Sequence, residues 1–346
     1  MTRASASSGL PTVDVIMSTL NEERYIGRCL KAILSQDYPP ELLRIWLIDG
    51  GSSDGTVEVA RDIASANPGL TIVADGTRRN LPEALNLALE GCSGELVAKV
   101  DAHGYPAVDF IRRAVEALVA GGPAVACVGG RPLQEGETPF GQALAVARGS
   151  HFGVGGSVYA SRATCEFVDT VQCGVYRRAA LDSVGHFNPL LVAGEDEELN
   201  WRLSSAGYKI LLDTRVRFHY VSRSSWSAAF RQYRGYGRAR VSVIALHPKF
   251  LRPRHLAPPA LVAGVAAMGL ASPVVPIARR GLGAIIGAYA LGACIAGSRA
   301  VNDVRRASAP GVAGAFVALH LGYGVGFLLG LKDLPNHAAK QVRRSA

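Results

Sequence analysis

The sequence predicts an α/β fold, with a mostly parallel, Rossmann-like sheet and flanking helices, followed by C-terminal α-helical membrane segments. Two observations lead to this prediction: apolar runs alternate with helical patterns over the first 100 residues, and long uncharged stretches follow residue 255. Strand–helix alternation with short loops is typical of a parallel sheet covered on both faces. Because 49% of the 346 residues are hydrophobic and only 19% are charged, a disordered chain is excluded.

Four apolar runs are predicted as the first strands of the sheet. They are Val13–Met17, Arg44–Ile48, Leu70–Ala74 and Leu96–Val100. A helical pattern from Ile26 to Leu34 follows the first run, and similar patterns follow the next two. Ligands of such sheets bind at the carboxyl ends of the strands. Asn21, Asp49 and Asp101 each come just after a strand, so we expect them to share one crevice.

The net charge of +9 is concentrated before the apolar C-terminal stretch. Seven basic residues and no acidic one lie between Arg231 and Arg254. Cationic side chains in such a place contact anionic lipid head groups. We therefore expect a basic juxtamembrane segment over residues 226–255 and membrane lipids as partners, and we expect no nucleic-acid partner.

The C-terminal stretch contains three uncharged windows, 256–278, 282–298 and 309–331. A spanning helix needs about 20 residues. The third window is long enough, the second is short and rich in glycine, and the first contains four prolines. Two or three membrane helices over 256–331 are both compatible with this pattern. A buried hairpin of a soluble domain is a weaker alternative, because helices of soluble domains normally have a polar face.

The rest of the organisation follows from these boundaries. We expect a flexible N-terminus over residues 1–12, an α/β domain over 13–225 and a polar tail over 332–346. The first residues are polar and lack an apolar signal-peptide core, and the six cysteines are scattered without a CxxC pair. Both features predict that the α/β domain lies in the cytoplasm.

Two polar clusters follow predicted strands and have both a structural and a functional interpretation. The glycine-rich loop from Asp49 to Gly55 opens a helix, and it is either a simple turn with a helix cap or part of a ligand site. The Asp101-Ala-His103 segment follows the fourth strand. An Asp and a His two residues apart can hold one divalent ion, and a turn Asp beside a half-buried His is the alternative.

A third cluster, Glu195–Glu198, lies in the first turn of a predicted amphipathic helix. Acids there interact well with the helix dipole without any function, although four in succession repel one another. Two short strands are predicted after this helix, at Ile210–Leu212 and Val216–Phe218, with His219 at the end of the second.

Taken in order, these clusters resemble the family-2 inverting glycosyltransferases of the GT-A fold, over residues 13–240. The matching segments are Ser18–Glu22, Ile48–Thr56, Asp101–His103, Cys173–Arg178, Val184–Asn188, and Glu195–Leu203 with His219. Gly50 replaces the second Asp of the family's DDGSxDGT segment, and His103 replaces the second Asp of its DxD motif. The DAH variant and the apolar C-terminus are most similar to succinoglycan-type membrane glucosyltransferases.

The resemblance implies a donor site with a metal ion. The nucleotide-binding residues would be Thr19, Asn21, Glu23, Asp49, Arg79 and Asp101. Mn²⁺ or Mg²⁺ would be held by Asp101, His103 and His219, and it would neutralise the charge of the departing nucleoside diphosphate. For Arg79, a solvated surface charge is the alternative.

The resemblance also implies the catalytic and acceptor residues. Asp196, beside Glu195, would be the general base that takes the proton of the acceptor hydroxyl. Its acidic neighbours raise its proton affinity while the helix N-terminus lowers it, and the sequence leaves the balance open. The residues expected near the acceptor or its diphosphate are Gly174, Trp201, Arg231 and Arg234. A core position is the alternative for Trp201, and lipid head groups are alternative ligands for the two arginines.

The expected activity is therefore inverting transfer of a hexose from a nucleotide sugar such as UDP-glucose to a polyprenyl-linked saccharide. The product would be a bacterial exopolysaccharide or envelope glycan, made at the inner membrane by a cytoplasmic catalytic domain. A polyprenyl-phosphate monosaccharide synthase, a membrane-bound nucleotidyltransferase and a non-catalytic membrane scaffold are the alternatives. The scaffold predicts that Asp101→Ala and Asp196→Asn have no effect.

Overall fold

A computed structural model describes residues 9–155, 164–303 and 307–345 of the chain. The chain divides into two compact units. The first comprises the described residues within Met1–Leu133 and Arg162–Tyr220, and the second those within Gln134–Ser161 and Val221–Ala346. Of the predicted flexible N-terminus, residues 1–8 lie outside the described residues.

The first unit is built on an eight-stranded sheet in the order β3-β2-β1-β4-β9-β6-β10-β8. The strands are β1 Val13–Thr19, β2 Leu43–Asp49, β3 Leu70–Val73, β4 Leu96–Lys99, β6 Val125–Gly130, β8 Cys165–Val168, β9 Gln172–Arg177 and β10 Lys209–Asp213. The pairs β1–β2, β2–β3, β1–β4 and β6–β10 are parallel. The strand β9 is antiparallel to both of its neighbours, and β8 is antiparallel to β10. The mostly parallel sheet is thus confirmed.

Helices cover both faces of this sheet. They are α1 Glu23–Leu34, α2 Thr56–Ser65, α3 Leu81–Gly91, α4 Phe110–Gly121, α7 Arg178–Val184 and α8 Glu195–Ser205. Because side chains alternate along a strand, Val15 and Met17 of β1 pack with α1, α2 and α4, while Ile16 packs with α3, α7 and α8. The strand β1 is therefore buried on both faces, as expected of a central parallel strand.

A second sheet has three strands, in the order β5-β11-β7 with β7 at Leu133–Glu135, and one of its strands differs from the prediction. The predicted strand Val216–Phe218 is displaced: Val216 N–H donates to the Asp213 carbonyl and closes a turn, and β11 runs over Phe218–Val221. It pairs antiparallel with β5, Gly104–Pro106. His219 is consequently an interior residue of β11 and not the residue after a strand.

The second unit is helical. Its helices are α5 Pro139–Arg148, α6 His151–Val154, α9 Trp226–Leu246, α10 Ala257–Ala271, α11 Pro276–Asp303 and α12 Ala309–Ser345, and the short strand β7, Leu133–Glu135, leads into the unit. The predicted domain 13–225 thus contributes the described residues within 134–161, and residues 221–225, to this second unit. The basic segment 226–255 forms α9 and two single-turn 3₁₀ helices, Pro248–Phe250 and Pro253–His255.

Close packing in this unit depends on glycines of α12. A Cβ at Gly326 would come within 2.0 Å of the Arg234 carbonyl oxygen of α9, and one at Gly322 within 2.7 Å of the Phe230 carbonyl oxygen. Only glycine permits the two backbones to approach this closely. Helix α12 continues to Ser345, so the predicted polar tail 332–346 extends this helix over its described residues.

Two helices are long and apolar enough to cross a membrane, over Pro276–Val301 and Ala309–Leu334. Helix α10 has 15 residues, fewer than the roughly 20 that a span requires. The boundary between the first two predicted windows also differs. Because Pro276 is favoured at a helix start, α11 begins there and carries Arg279 and Arg280 in its first turn.

Candidate active site

The predicted donor residues lie at the carboxyl ends of neighbouring strands. Thr19 ends β1 and Asp49 ends β2, and the two residues pair in register. Asp101 lies two residues after the end of β4, the other neighbour of β1. These residues are therefore gathered at one edge of the sheet because the strands are parallel, as the alternation of strands and helices predicts.

The glycine-rich loop after β2 is organised by its own polar side chains. One carboxylate oxygen of Asp49, Oδ2, accepts hydrogen bonds from Gly51 N at 2.9 Å and Ser52 N at 3.0 Å. The Asn21 side chain accepts from Ser53 N at 2.8 Å, and Glu23 accepts from Gly55 N at 3.1 Å. Asn21 and Glu23 thus hold the loop that follows β2.

Two buried oxygens at this edge have no hydrogen-bond partner within the described part of the chain. They are Thr19 Oγ1 and Asp49 Oδ1. The two residues are 2% and 4% exposed. Since buried polar groups are nearly always hydrogen-bonded, these oxygens indicate a ligand or bound water. A Cβ at Gly50 would lie 3.4 Å from the carbonyl oxygens of Thr19 and Arg79, which is van der Waals contact, so the loop passes close to both backbones here.

Arg79, a predicted nucleotide ligand, is engaged elsewhere in this structure. Its guanidinium donates to both carboxylate oxygens of Asp75, at 2.8 Å and 2.7 Å. The observed guanidinium thus forms an ion pair with Asp75, whereas the alternative expectation was a solvated surface charge. Contact with a nucleotide would require it to leave Asp75.

A buried lysine joins the predicted metal ligand to the predicted base. Lys99 Nζ lies 2.9 Å from Asp101 Oδ1, 3.0 Å from Glu195 Oε1 and 2.7 Å from Asp196 Oδ2. Its side chain is 2% exposed. Asp101 and Asp196 therefore face one another across a single ammonium group. Sequence reasoning missed Lys99, although a lysine inside the apolar run Leu96–Val100 is a usable signal, because buried lysines require acidic partners.

The ionisation of these groups follows from burial and from Lys99. Burial raises the pKa of Asp196 to about 7; Lys99 opposes this rise, and Glu195 and Asp101 add to it. Burial would also raise the pKa of Asp101, but Lys99, His103 and a hydrogen bond from Gln172 bring it below the usual range. For Lys99, burial would lower the pKa, but the three carboxylates raise it well above its usual value. Within the cluster, Asp101 is thus ionised and Asp196 is poised near neutral pH.

The predicted metal ligands are not brought together as a set of three. His103 Nδ1 lies 3.6 Å from Glu22 Oε1, and its ring meets the edge of Tyr220. His219 instead stacks on the ring of Tyr105, with ring centroids 4.5 Å apart. Because His219 and Tyr220 are adjacent in β11, their side chains point to opposite faces of the strand. This separates His219 from His103 and corrects the expectation of a shared site.

Asp101 and His103 still offer donors that fit a divalent ion bound together with a nucleotide. Over residues 9–155, 164–303 and 307–345, no three histidine, cysteine or acidic side chains are placed to hold a metal by themselves. Mg²⁺ typically takes one or two carboxylates from the protein and completes its shell with phosphate oxygens and water. The donors present suit such a shared ion and not a closed protein cage.

Two of the predicted acceptor residues lie in the first unit. A Cβ at Gly174 would come within 2.6 Å of Cys127 Sγ, so this glycine is required by packing. Trp201 lies on α8, five residues after Asp196, which places the two roughly 140° apart around the helix. Trp201 therefore does not share the helix face of the base. Arg231 and Arg234 lie on α9 in the second unit.

The sequence and structure were compared with known proteins. Residues 14–185 match glycosyl transferase family 2. The chain is 29% identical over 335 residues to the succinoglycan biosynthesis protein ExoA of Rhizobium meliloti, covering 94% of this chain and 96% of that protein. It is 28% identical over 233 residues to the dolichyl N-acetyl-alpha-D-glucosaminyl phosphate 3-beta-D-2,3-diacetamido-2,3-dideoxy-beta-D-glucuronosyltransferase of Methanococcus voltae, covering 66% of this chain and 72% of that enzyme.

A solved structure with a similar fold covers most of the chain. The mannosyltransferase PcManGT of Pyrobaculum calidifontis, determined with GDP-Man and Mn²⁺, has a TM-score of 0.64 at 22% identity. The similarity covers 94% of this chain and 88% of that one. This structural similarity shows the fold, which is of the GT-A type. The match over residues 14–185 and the similarity to ExoA show that the chain belongs to glycosyl transferase family 2 and is a glycosyltransferase.

Proposed function

We propose that this glycosyltransferase moves a hexose from a UDP-hexose such as UDP-glucose to a polyprenyl-linked saccharide, with inversion at the anomeric carbon. The observation that carries the proposal is the cluster around Lys99, which brings Asp101 and Asp196 to the same ammonium group. A donor-side carboxylate and a base are then adjacent, as a single displacement requires.

On the donor side, the unpartnered oxygens of Thr19 and Asp49 would bind the nucleoside. Asp101 and His103 would hold Mn²⁺ or Mg²⁺ between them and the diphosphate. The ion, when bound, offsets the negative charge that develops on the departing nucleotide. Mn²⁺ is present in the solved structure of PcManGT, which supports a divalent ion in this chain.

On the acceptor side, Asp196 would take the hydroxyl proton. Its Oδ1 is buried and has no hydrogen-bond partner among the described side chains and backbone, whereas Oδ2 is bound to Lys99. The attacking oxygen would displace the nucleotide from the opposite face of the sugar ring. An α-linked donor would thus give a β-linked product without a covalent enzyme intermediate.

The acceptor and location are proposed from the second unit and the relatives. The arginines of α9, including Arg231 and Arg234, would bind lipid phosphates or the acceptor diphosphate, because guanidinium groups pair well with phosphates. Two apolar helices long enough to span a bilayer support attachment to a membrane. The similarity to the succinoglycan biosynthesis protein ExoA supports a role in exopolysaccharide synthesis. The bacterial inner membrane, with the catalytic domain in the cytoplasm, is the location that we propose.

The proposal is tested with the purified full chain in detergent. It is incubated with UDP-, GDP- and dTDP-sugars, Mn²⁺ or Mg²⁺, and a lipid extract as acceptor, and nucleotide release is measured. We expect release from a UDP-hexose that depends on both metal and lipid. Label appearing on bare polyprenyl phosphate would instead indicate a monosaccharide synthase. Release from none of the donors would support a scaffold.

The pKa of Asp196 leads to a prediction about pH. A general base acts in its ionised form, so kcat/KM should rise with pH, reach half of its plateau value at about pH 7 and level off above about pH 8. At pH 6 it should be about one tenth of its plateau value. Because Glu195 raises the pKa of Asp196, Glu195→Gln should move this limb to lower pH. Initial rates between pH 5 and 9 measure this rise for both proteins. If the rise in Glu195→Gln stayed at the same pH or moved to higher pH, Asp196 would not be the general base.

The unpartnered hydroxyl of Thr19 leads to a second prediction. Thr19→Val removes a ligand contact that is worth about 1–2 kcal/mol, so donor KM should rise roughly 5- to 30-fold. The same change removes a buried polar atom that lacks a partner, so the free energy of unfolding should not decrease. Thr71→Val, at an exposed position of β3, is the matched control and should change neither value. A loss of stability with unchanged KM would show that the hydroxyl is structural.

A further inference from the structure

Three carboxylate side chains surround the single ammonium group of Lys99. Asp101, Glu195 and Asp196 all lie within 3.0 Å of Lys99 Nζ. Lys99 is the last residue of β4, and Glu195 and Asp196 lie in the first turn of α8. One ammonium group therefore links the strand that precedes the predicted metal ligand to the helix that carries the base.

The hydrogen bonds around Lys99 distinguish the oxygens of the two aspartates. Asp101 is held at both oxygens, Oδ1 by Lys99 and Oδ2 by Gln172 Nε2 at 2.8 Å. Asp196 is held only at Oδ2. Its Oδ1 is left without a partner among the described residues. Lys99 thus fixes the rotation of both carboxylates and leaves one oxygen of Asp196 open.

Lys99 also lies between two aspartates that could otherwise bind the same metal ion, Asp101 and Asp196. Carboxylate oxygens are preferred ligands of Mg²⁺ and acceptable ligands of Mn²⁺. An Asp196 free to turn toward a divalent ion at Asp101 would become a second ligand, and a carboxylate bound to a metal is a poor proton acceptor. The ammonium group occupies the space between the carboxylates and prevents this.

We infer that Lys99 is a positioning residue: it keeps Asp196 out of the metal's coordination shell and directs Asp196 Oδ1 to the acceptor hydroxyl. This inference rests on the proposed function and adds to it the residue that keeps the base separate from the metal ligand. It requires no contact between Lys99 and either substrate.

The test is Lys99→Met in the full chain, with two readouts. First, kcat should fall roughly 100-fold while donor KM stays within about threefold, because a misplaced base slows the chemical step without weakening donor binding. Second, the affinity of the protein for Mn²⁺ alone, measured by electron paramagnetic resonance of the free ion, should rise because Asp196 becomes available as a ligand. Unchanged kcat and unchanged Mn²⁺ affinity would overturn the inference.

Two further variants separate positioning from loss of stability. Lys99→Met combined with Glu195→Gln keeps the net charge of the cluster, so it folds more readily and should show the same kcat loss and Mn²⁺ gain. Arg44→Met removes an ion pair with the buried Asp14 at the other end of β1 and β2 and should change neither readout. An equal kcat loss in Arg44→Met would show that Lys99 only stabilises the fold and does not position Asp196.

The Mn²⁺ titration also separates this inference from the proposed function. A wild-type protein that releases nucleotide from none of the donors would contradict the proposed function. The titration of wild type against Lys99→Met would then still decide the role of Lys99: tighter Mn²⁺ binding by the variant supports it, and equal binding overturns it.

Discussion

Asp196→Asn should lower kcat by roughly 10²- to 10⁴-fold, the range that general-base catalysis contributes. Asparagine has nearly the same shape and can still accept a hydrogen bond from Lys99, but it cannot take a proton. Donor KM should therefore stay nearly constant. Initial rates at saturating donor measure the effect.

The control for this variant is Asp62→Asn, at an exposed position of α2, which should retain full activity. Two outcomes for Asp196→Asn would contradict the mechanism. If Asp196→Asn kept more than about half of the wild-type kcat, Asp196 would not be the base. If it lost donor binding instead of turnover, Asp196 would act on the donor side.

The largest expected effect on stability comes from Arg202→Met. Arg202 donates to both oxygens of Glu198, at 2.8 Å and 2.9 Å. It also donates to three consecutive carbonyl groups, those of Val184, Gly185 and His186. Because Glu198 is 1% exposed, the variant would remove two charge-assisted hydrogen bonds from a buried carboxylate. The free energy of unfolding should fall by about 3–5 kcal/mol.

Urea unfolding followed by circular dichroism measures this change. Arg112→Met is the matched control, since Arg112 pairs with Asp37 and Glu116 at exposed positions. Its effect should be within about 1 kcal/mol. If Arg202→Met cost no more than the control, the ion pair would contribute no more than a surface pair, and α8 would be held by its apolar residues Leu199 and Leu203.

Much of the first unit follows from local patterns in the sequence. The strands β1 to β4 are mainly apolar, and the polar residues at and after their carboxyl ends must meet at one edge because the strands are parallel. The location of Asp49 and Asp101 was therefore predictable. The displaced β11 was not predicted, although Asp213 marks the turn before it: its carbonyl accepts a hydrogen bond from Val216 N and its side chain accepts one from Arg215 N.

The departures at the site have physical causes that involve distant parts of the chain. The ion pairs of Lys99 join residues nearly 100 positions apart, and only the fold brings them together. The position of His219 depends on the register of β11 against β5, and a shift of one residue would reverse its face. The assignment of residues 134–161 to the second unit depends on packing of α5 against α12, through residues such as Leu144 and Phe316.

The central claim is that Asp101 acts on the donor and Asp196 on the acceptor within one site. Calorimetric titration of UDP in the presence of Mn²⁺ into wild type, Asp101→Asn and Asp196→Asn tests this claim most directly. We predict that Asp101→Asn loses most of the Mn²⁺-dependent affinity for UDP, while Asp196→Asn binds UDP as wild type does. Normal UDP affinity in Asp101→Asn, or equal losses in the two variants, would contradict this division of roles.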